Sequence, residues 1–283
     1  MQPDPSTALA DAAERIETPC GGGALVWRCW GPPQGRPVLL LHGGSGSWTH
    51  WVRNIGPLAA AGRRVVVPDL PGFGDSAAPP DGEDADVLPG WLEQGWRRLA
   101  GPRADEAVAG VGFSFGGLVA GLWARQHPGR FDQLVLVGVP ALSDERLAPL
   151  DLRPWRLEPE GPAREAAHRH NLLQLMLARD ASADAVAVKL HARNVERDRL
   201  RKRRLMLTDA LARLLPGLAC RVDGVWGRED ALYRMRPALV DRVLATAGRP
   251  GSVHWIDGSG HWVGYEAADE FNRVLADLLH LDD

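Results

Sequence analysis

Short apolar runs rich in valine and leucine recur along the chain, separated by stretches long enough to be helices. Pro37 to Leu41, Arg64 to Val67, Ala107 to Val111 and Leu134 to Val139 are such runs, each followed by glycine or proline. Successive strand residues face opposite sides, so a run that is apolar throughout predicts burial on both faces, as in a parallel sheet. Upstream, Arg15 to Thr18 and Ala24 to Trp30 read as two short strands joined through Gly21, Gly22 and Gly23, an antiparallel hairpin at the sheet edge. The rhythm stops between 141 and 216, where Arg and His are mixed among Leu and Ala and the chain reads as helical. It resumes with a strand from Arg221 to Trp226, a helix around Pro237 to Ala247, a strand from Ser252 to Ile256 and a last helix from about Ala267 to Leu281. The pattern predicts an α/β fold with a mostly parallel sheet and helices on both faces. Residues 1–140 and 217–283 form the core, and 141–216 form a helical cap inserted into it.

Composition narrows the partners. A chain of 283 residues with 45% hydrophobic side chains can bury a large core. The balance of 33 basic against 36 acidic residues sets up no global field for nucleic acid or an anionic membrane. No apolar stretch approaches the roughly 18 residues of a membrane span, and the first twenty residues lack the pattern of a signal peptide. Cys20, Cys29 and Cys220 are odd in number and too scattered for a disulfide framework or a zinc site, so they read as reduced cytoplasmic thiols. A small-molecule substrate is therefore expected, with no metal and no organic cofactor. The oligomeric state is left open, a homodimer included.

The strongest local signal is Gly112-Phe113-Ser114-Phe115-Gly116, which follows a predicted buried strand and precedes a helical stretch, Gly117 to Arg125. A serine on so sharp a strand-to-helix turn presents its hydroxyl above the sheet, and the helix start adds a positive dipole end beside it. A serine hydroxyl is a weak nucleophile alone, so a histidine base and an orienting acid are required. His261, in Gly258-Ser259-Gly260-His261-Trp262 after the last strand, supplies the base, and Asp230, in Trp226-Gly227-Arg228-Glu229-Asp230 after the preceding one, supplies the acid. All three then stand at the C-terminal ends of strands, the rim where parallel sheets carry their sites. Asp144 is the alternative acid. Backbone N–H groups of Phe115 and of Gly44, in His42-Gly43-Gly44-Ser45-Gly46, are expected to form the oxyanion hole. Phe113, Phe115 and Trp262 are expected in an apolar pocket wall. Asp69 to Ser76 reads as a structural turn anchored by its aspartates.

His42-Gly43-Gly44, Asp69 to Ser76, the turn around Ser114, Trp226 to Asp230 and Gly260-His261-Trp262 together resemble the α/β-hydrolase superfamily and span nearly the whole chain outside the cap. Within it, Gly260-His261-Trp262, Tyr265-Glu266, Asp269-Glu270-Phe271-Asn272 and Leu172-Leu173-Gln174 look most like the meta-cleavage product hydrolases, which cut a carbon–carbon bond in ring-fission products. The resemblance implies the α/β-hydrolase fold and a Ser-His-Asp enzyme. That family usually has Asn before the nucleophile, Asn in the loop after the Gly-rich turn and Arg in the cap. This chain has Phe113, His50 and His191 at the aligned positions, which makes the two histidines substrate-binding candidates.

These departures remove the groups that would hold an acidic dienol, unless Arg193, Arg197 or Arg199 replaces them. The expected activity is hydrolysis of a small-molecule ester through an acyl-enzyme. Carbon–carbon bond hydrolysis is one alternative and a ligand receptor on the same fold is another. The run Arg197-Asp198-Arg199-Leu200-Arg201-Lys202-Arg203-Arg204 reads as a solvated helix face, with an anion site as the alternative.

Overall fold

The computed structural model describes residues 5–145, 149–200 and 202–281. Helix α1 (Pro5–Asp11) leads into the hairpin of β1 (Glu14–Cys20) and β2 (Gly23–Trp30). Then come β3 (Pro37–Leu41), α2 (Ile55–Ala60), β4 (Arg64–Pro68), α3 (Leu88–Ala100), β5 (Val108–Phe113), α4 (Phe115–Gln126) and β6 (Phe131–Val137). Between β6 and β7 (Arg221–Gly227) the described residues hold helices α5 (Pro162–Asn171), α6 (Ala185–Glu196) and α7 (Ala210–Leu214) and no strand. Helix α8 (Pro237–Leu244), strand β8 (Pro250–Ile256) and helices α9 (Val263–Glu266) and α10 (Ala268–Leu278) close the chain.

The eight strands form one sheet in the order β1-β2-β4-β3-β5-β6-β7-β8. β1 pairs with β2 and β2 with β4 antiparallel, and every other pairing is parallel. Every residue of β3 and of β5 is buried, and the pleat sorts their side chains alternately into two cores. Leu39 and Leu41 join one with Leu92, Trp96, Leu118 and Trp123 from α3 and α4; Val38 and Leu40 join the other with Ile55, Leu58, Phe271 and Leu275 from α2 and α10. The hydrophobic effect thus holds a helix layer on each face, at roughly 1.5–3 kcal/mol per large side chain buried.

The predicted strands differ from the observed ones only at their ends. The last predicted helix corresponds to α10, and Ala267 at φ −123°, ψ 48° separates it from the short α9 that the sequence pattern did not signal. The charged run at 197–204 is no helix face: α6 stops at Glu196, and the following segment lies along the core loops. Arg201 of that run is outside the described residues. Arg197 pairs with Asp75, Arg199 bonds the Gly74 carbonyl at 3.1 Å, and Lys202 pairs with Glu83 at 2.7 Å. All three cysteines are buried free thiols, and burial pushes each up to about 11. Among the described residues no helix is long and apolar enough to cross a membrane.

Asp69, at the end of β4, ties this loop system together. Its Oδ1 accepts the Trp48 N–H at 2.8 Å, and its Oδ2 accepts the Asp75 N–H at 2.9 Å and Arg28 Nη1 at 3.0 Å. Arg28 is itself buried but keeps its ion pair with Asp75, so removing the Asp69 carboxylate costs one guanidinium bond and leaves the Trp48 and Asp75 N–H groups without their acceptor. Asp69→Ala is expected to lose about 2–4 kcal/mol of unfolding free energy in urea titration; a loss under about 1 kcal/mol would show that the turn holds without its aspartate.

Candidate active site

The turn from β5 into α4 puts Ser114 at φ 50°, ψ −121°, in a region that costs a non-glycine residue roughly 1–3 kcal/mol. Close packing keeps it there. A Cβ on Gly112 would fall 2.5 Å from Gly117 Cα, and one on Gly116 would fall 2.4 Å from the Leu41 carbonyl oxygen. Only glycine at both places lets strand, turn and helix meet this closely.

Ser114 Oγ lies 2.9 Å from His261 Nε2, and His261 Nδ1 lies 2.9 Å from Asp230 Oδ2. The other Asp230 oxygen accepts the Leu232 N–H at 2.8 Å, which orients the carboxylate. Because a carboxylate only accepts, the neutral ring carries its proton on Nδ1 and presents Nε2 as an acceptor to the serine hydroxyl. Asp230 is fully buried and His261 is 3% exposed, so the chain of bonds is shielded from water. Glu229 and Asp144 are exposed, and neither bonds His261.

The loop that carries His261 is held from below by a residue that spacing alone does not reveal. The buried Glu266 carboxylate accepts the N–H groups of Gly260 at 2.7 Å, Ala178 at 2.9 Å and Arg179 at 2.8 Å. Loop and inserted segment are thereby bonded to one anion.

Gly44 and Phe115, expected to point N–H groups at one oxygen, stand side by side: a Cβ on Gly44 would lie 3.5 Å from Phe115 Cβ. Phe115 opens α4, whose dipole favours negative charge at that end. The Phe115 ring is buried against Phe73 at 5.8 Å and does not reach the cavity.

A cavity of about 570 Å³ opens above Ser114, between the sheet rim and the inserted segment. Phe113, His50 and His191 line it; Trp262 does not. Trp262 instead stacks on Tyr265 at 4.3 Å and donates its Nε1–H to the His50 carbonyl at 2.8 Å, which turns the ring into the core. The expectation of a pocket wall at Trp262 is thus corrected: it sets the place of His50. Leu175, Met176, Leu150 and Trp155 give the cavity its apolar wall.

Burial keeps His50 and His191, which face this space, in their neutral form. His50 Nδ1 accepts the Gly43 N–H at 3.2 Å, which leaves its proton on Nε2. Burial holds His50 well below the usual imidazole range, with neighbouring His42, His191 and His261 adding to the effect. Burial, with His168 beside it, lowers His191 to about 3. The cations that line the cavity are Arg153 and Arg203 rather than Arg193, Arg197 or Arg199. Arg203 is paired with Asp198 at 2.7 Å, so its charge is locally balanced.

Comparison with known proteins identifies the family. The family model for the alpha/beta hydrolase fold matches residues 36–275. The chain belongs to that family, and it is an enzyme, a hydrolase. It is 31% identical over 262 residues, 86% of each protein, to a 2-hydroxy-6-oxononadienedioate/2-hydroxy-6-oxononatrienedioate hydrolase of Cupriavidus pinatubonensis. It is 29% identical over 262 residues, 87% of this chain and 88% of the other, to a 2-hydroxy-6-oxo-6-phenylhexa-2,4-dienoate hydrolase of Burkholderia cepacia. Among solved structures, the meta-cleavage product hydrolase of Pseudomonas fluorescens superposes with a TM-score of 0.74 at 22% identity, over 95% of this chain and 98% of that one. The esterase RhEst1 of a Rhodococcus species gives 0.71 at 21% identity, over 95% and 98%. These two superpositions speak to the fold alone.

Four imidazoles, His42, His50, His168 and His191, sit below their ordinary value because burial disfavours their charged form. The unfolded chain therefore binds protons that the folded one refuses, and stability drops as pH falls below about 6.5. The urea midpoint is expected to fall from pH 7 to pH 5, and His191→Gln to make that fall shallower by up to one proton. An unchanged slope would mean that His191 is protonated in the folded protein.

Proposed function

We propose that the protein is a serine hydrolase of small uncharged esters, with Ser114, His261 and Asp230 as its catalytic triad and 141–216 as its cap. The observation that carries the triad is the unbroken chain of two 2.9 Å bonds from Ser114 through His261 to a fully buried Asp230. Ser114 Oγ attacks the ester carbonyl carbon while its proton passes to His261 Nε2. Asp230 holds the tautomer and stabilises the imidazolium. Phe115 and Gly44 N–H groups bind the oxyanion. Collapse expels the alcohol, which takes the proton from His261. Water, deprotonated by the same nitrogen, then attacks the acyl carbon and releases the acid and Ser114.

The preference for an uncharged substrate comes from the cavity wall. Phe113 is apolar, His50 and His191 are neutral, Arg203 is already paired with Asp198, and Arg153 is exposed to solvent. A buried carboxylate without a free partner costs several kcal/mol. The second reading, hydrolysis of a carbon–carbon bond in a dienoate, is favoured by the names of the relatives and by the two arginines at the cavity.

Two measurements test the proposal. Asp230→Asn is expected to lower kcat by about 10³ to 10⁴, through the wrong imidazole tautomer; a loss below about tenfold would remove Asp230 from the triad. The unmodified protein is expected to turn over aryl or short-chain esters with higher kcat/KM than a 2-hydroxy-6-oxo-dienoate, and His191→Arg to shift that ratio toward the dienoate. A dienoate advantage of about a hundredfold, or about 2.7 kcal/mol of transition-state binding, would replace the ester reading with the second one.

A further inference from the structure

Ser45 follows Gly44 with φ 49°, one of the few non-glycine residues of the chain at positive φ. A side chain pays for that conformation unless something holds it. What holds Ser45 comes from the inserted segment. Its Oγ donates to Asp198 Oδ2 at 2.6 Å and accepts from Arg203 Nη2 at 3.1 Å. Arg203 Nη1 bonds the same Asp198 oxygen at 2.7 Å and the Leu200 carbonyl at 2.8 Å, closing a three-residue ring of charge-assisted bonds. Arg203 Nε lies 3.5 Å from where a Cβ on Gly44 would stand, so the guanidinium lies within van der Waals reach of the loop.

The same stretch is fastened to the core before this ring and within it. Asn194 accepts from Ser47 Oγ at 2.8 Å and donates to Thr49 Oγ1 at 3.0 Å. The Arg199 N–H donates to the Gly72 carbonyl at 2.8 Å. From the other direction, His50 Nδ1 draws the Gly43 N–H toward itself at 3.2 Å. The Gly43–Ser45 turn is therefore held between a histidine of the core and an ion pair of the inserted segment.

We propose that Ser45, Asp198 and Arg203 are positioning residues: the inserted segment uses them to hold Ser45 at positive φ and so to aim the Gly44 N–H at the oxyanion. The oxyanion hole is then complete only when this segment is seated. The inference rests on the reading of Ser114 as nucleophile and Gly44 as donor. None of the three side chains touches the reacting atoms in this role, so their loss acts on kcat and leaves ground-state ester binding in place.

Ser45→Ala keeps the unfavourable φ and loses the anchor. It is expected to lower kcat on an aryl ester about tenfold, a fraction of what loss of a whole oxyanion donor costs, with KM within about twofold. Ser45→Gly loses the same anchor but adopts positive φ freely, so it should recover most of that kcat. Inhibition by an aryl boronic acid, whose serine adduct places an oxygen in the hole, should weaken in step with kcat. Equal losses in the Ala and Gly variants, or a raised KM with kcat unchanged, would overturn the proposal. If Ser45→Ala does not fold, Asp198→Asn answers by the same kcat and KM split. A wild-type protein that neither turns over esters nor reacts with a serine probe would defeat the underlying reading. A wild-type protein that does both, beside unaffected variants, would defeat this inference alone.

Discussion

The proposed active site hangs from one strained turn. Ser114 is held at φ 50° because Gly112 meets Gly117 and Gly116 meets the Leu41 carbonyl too closely for any side chain to intervene. The cost, roughly 1–3 kcal/mol, is met by a sheet whose central strands are buried on both faces. The turn sets Ser114 at the end of β5, and the parallel order β5-β6-β7-β8 brings the loops after β7 and β8, with Asp230 and His261, to the same rim. Gly138 at the end of β6 leaves the room they need: a Cβ there would come within 3.1 Å of both Asp230 Oδ2 and His261 Nδ1.

Burial then decides the electrical character of the site. The same dehydration that makes a fixed N–H group effective toward an oxyanion removes the charge from His50 and His191. Those imidazoles act in the cavity wall as hydrogen-bonding groups rather than cations. Of the two arginines at the cavity, Arg203 is accompanied by Asp198 and Arg153 is exposed to solvent.

The sheet was legible in the chain because its central strands are short, mainly apolar runs followed by glycine or proline, a local property. Ser114, Asp230 and His261 were legible because the turns that carry them have local glycine signatures in strand order. The Ser45–Asp198–Arg203 ring was not, since Ser45 lies 153 residues from Asp198 and 158 from Arg203 and meets them only through the path of the inserted segment. The charge pattern also misled at 197–204: Arg197, Arg199 and Arg203 serve as ties to the loops at 72–76 and 43–45, not as a solvated helix face. Trp262 misled for a related reason. Its neighbour is His261, but its N–H found the His50 carbonyl and its ring found Tyr265.

The central claim is that His261 and Asp230 activate Ser114 for covalent attack, and a fluorophosphonate probe reads this directly, because it reacts with an activated serine and hardly at all with an ordinary one. Peptide mapping of the labelled protein should find one adduct, on Ser114, and Ser114→Ala and His261→Gln should each abolish it while the protein stays folded by circular dichroism. Labelling that survives in Ser114→Ala, or an adduct mapped to another serine, would contradict the account.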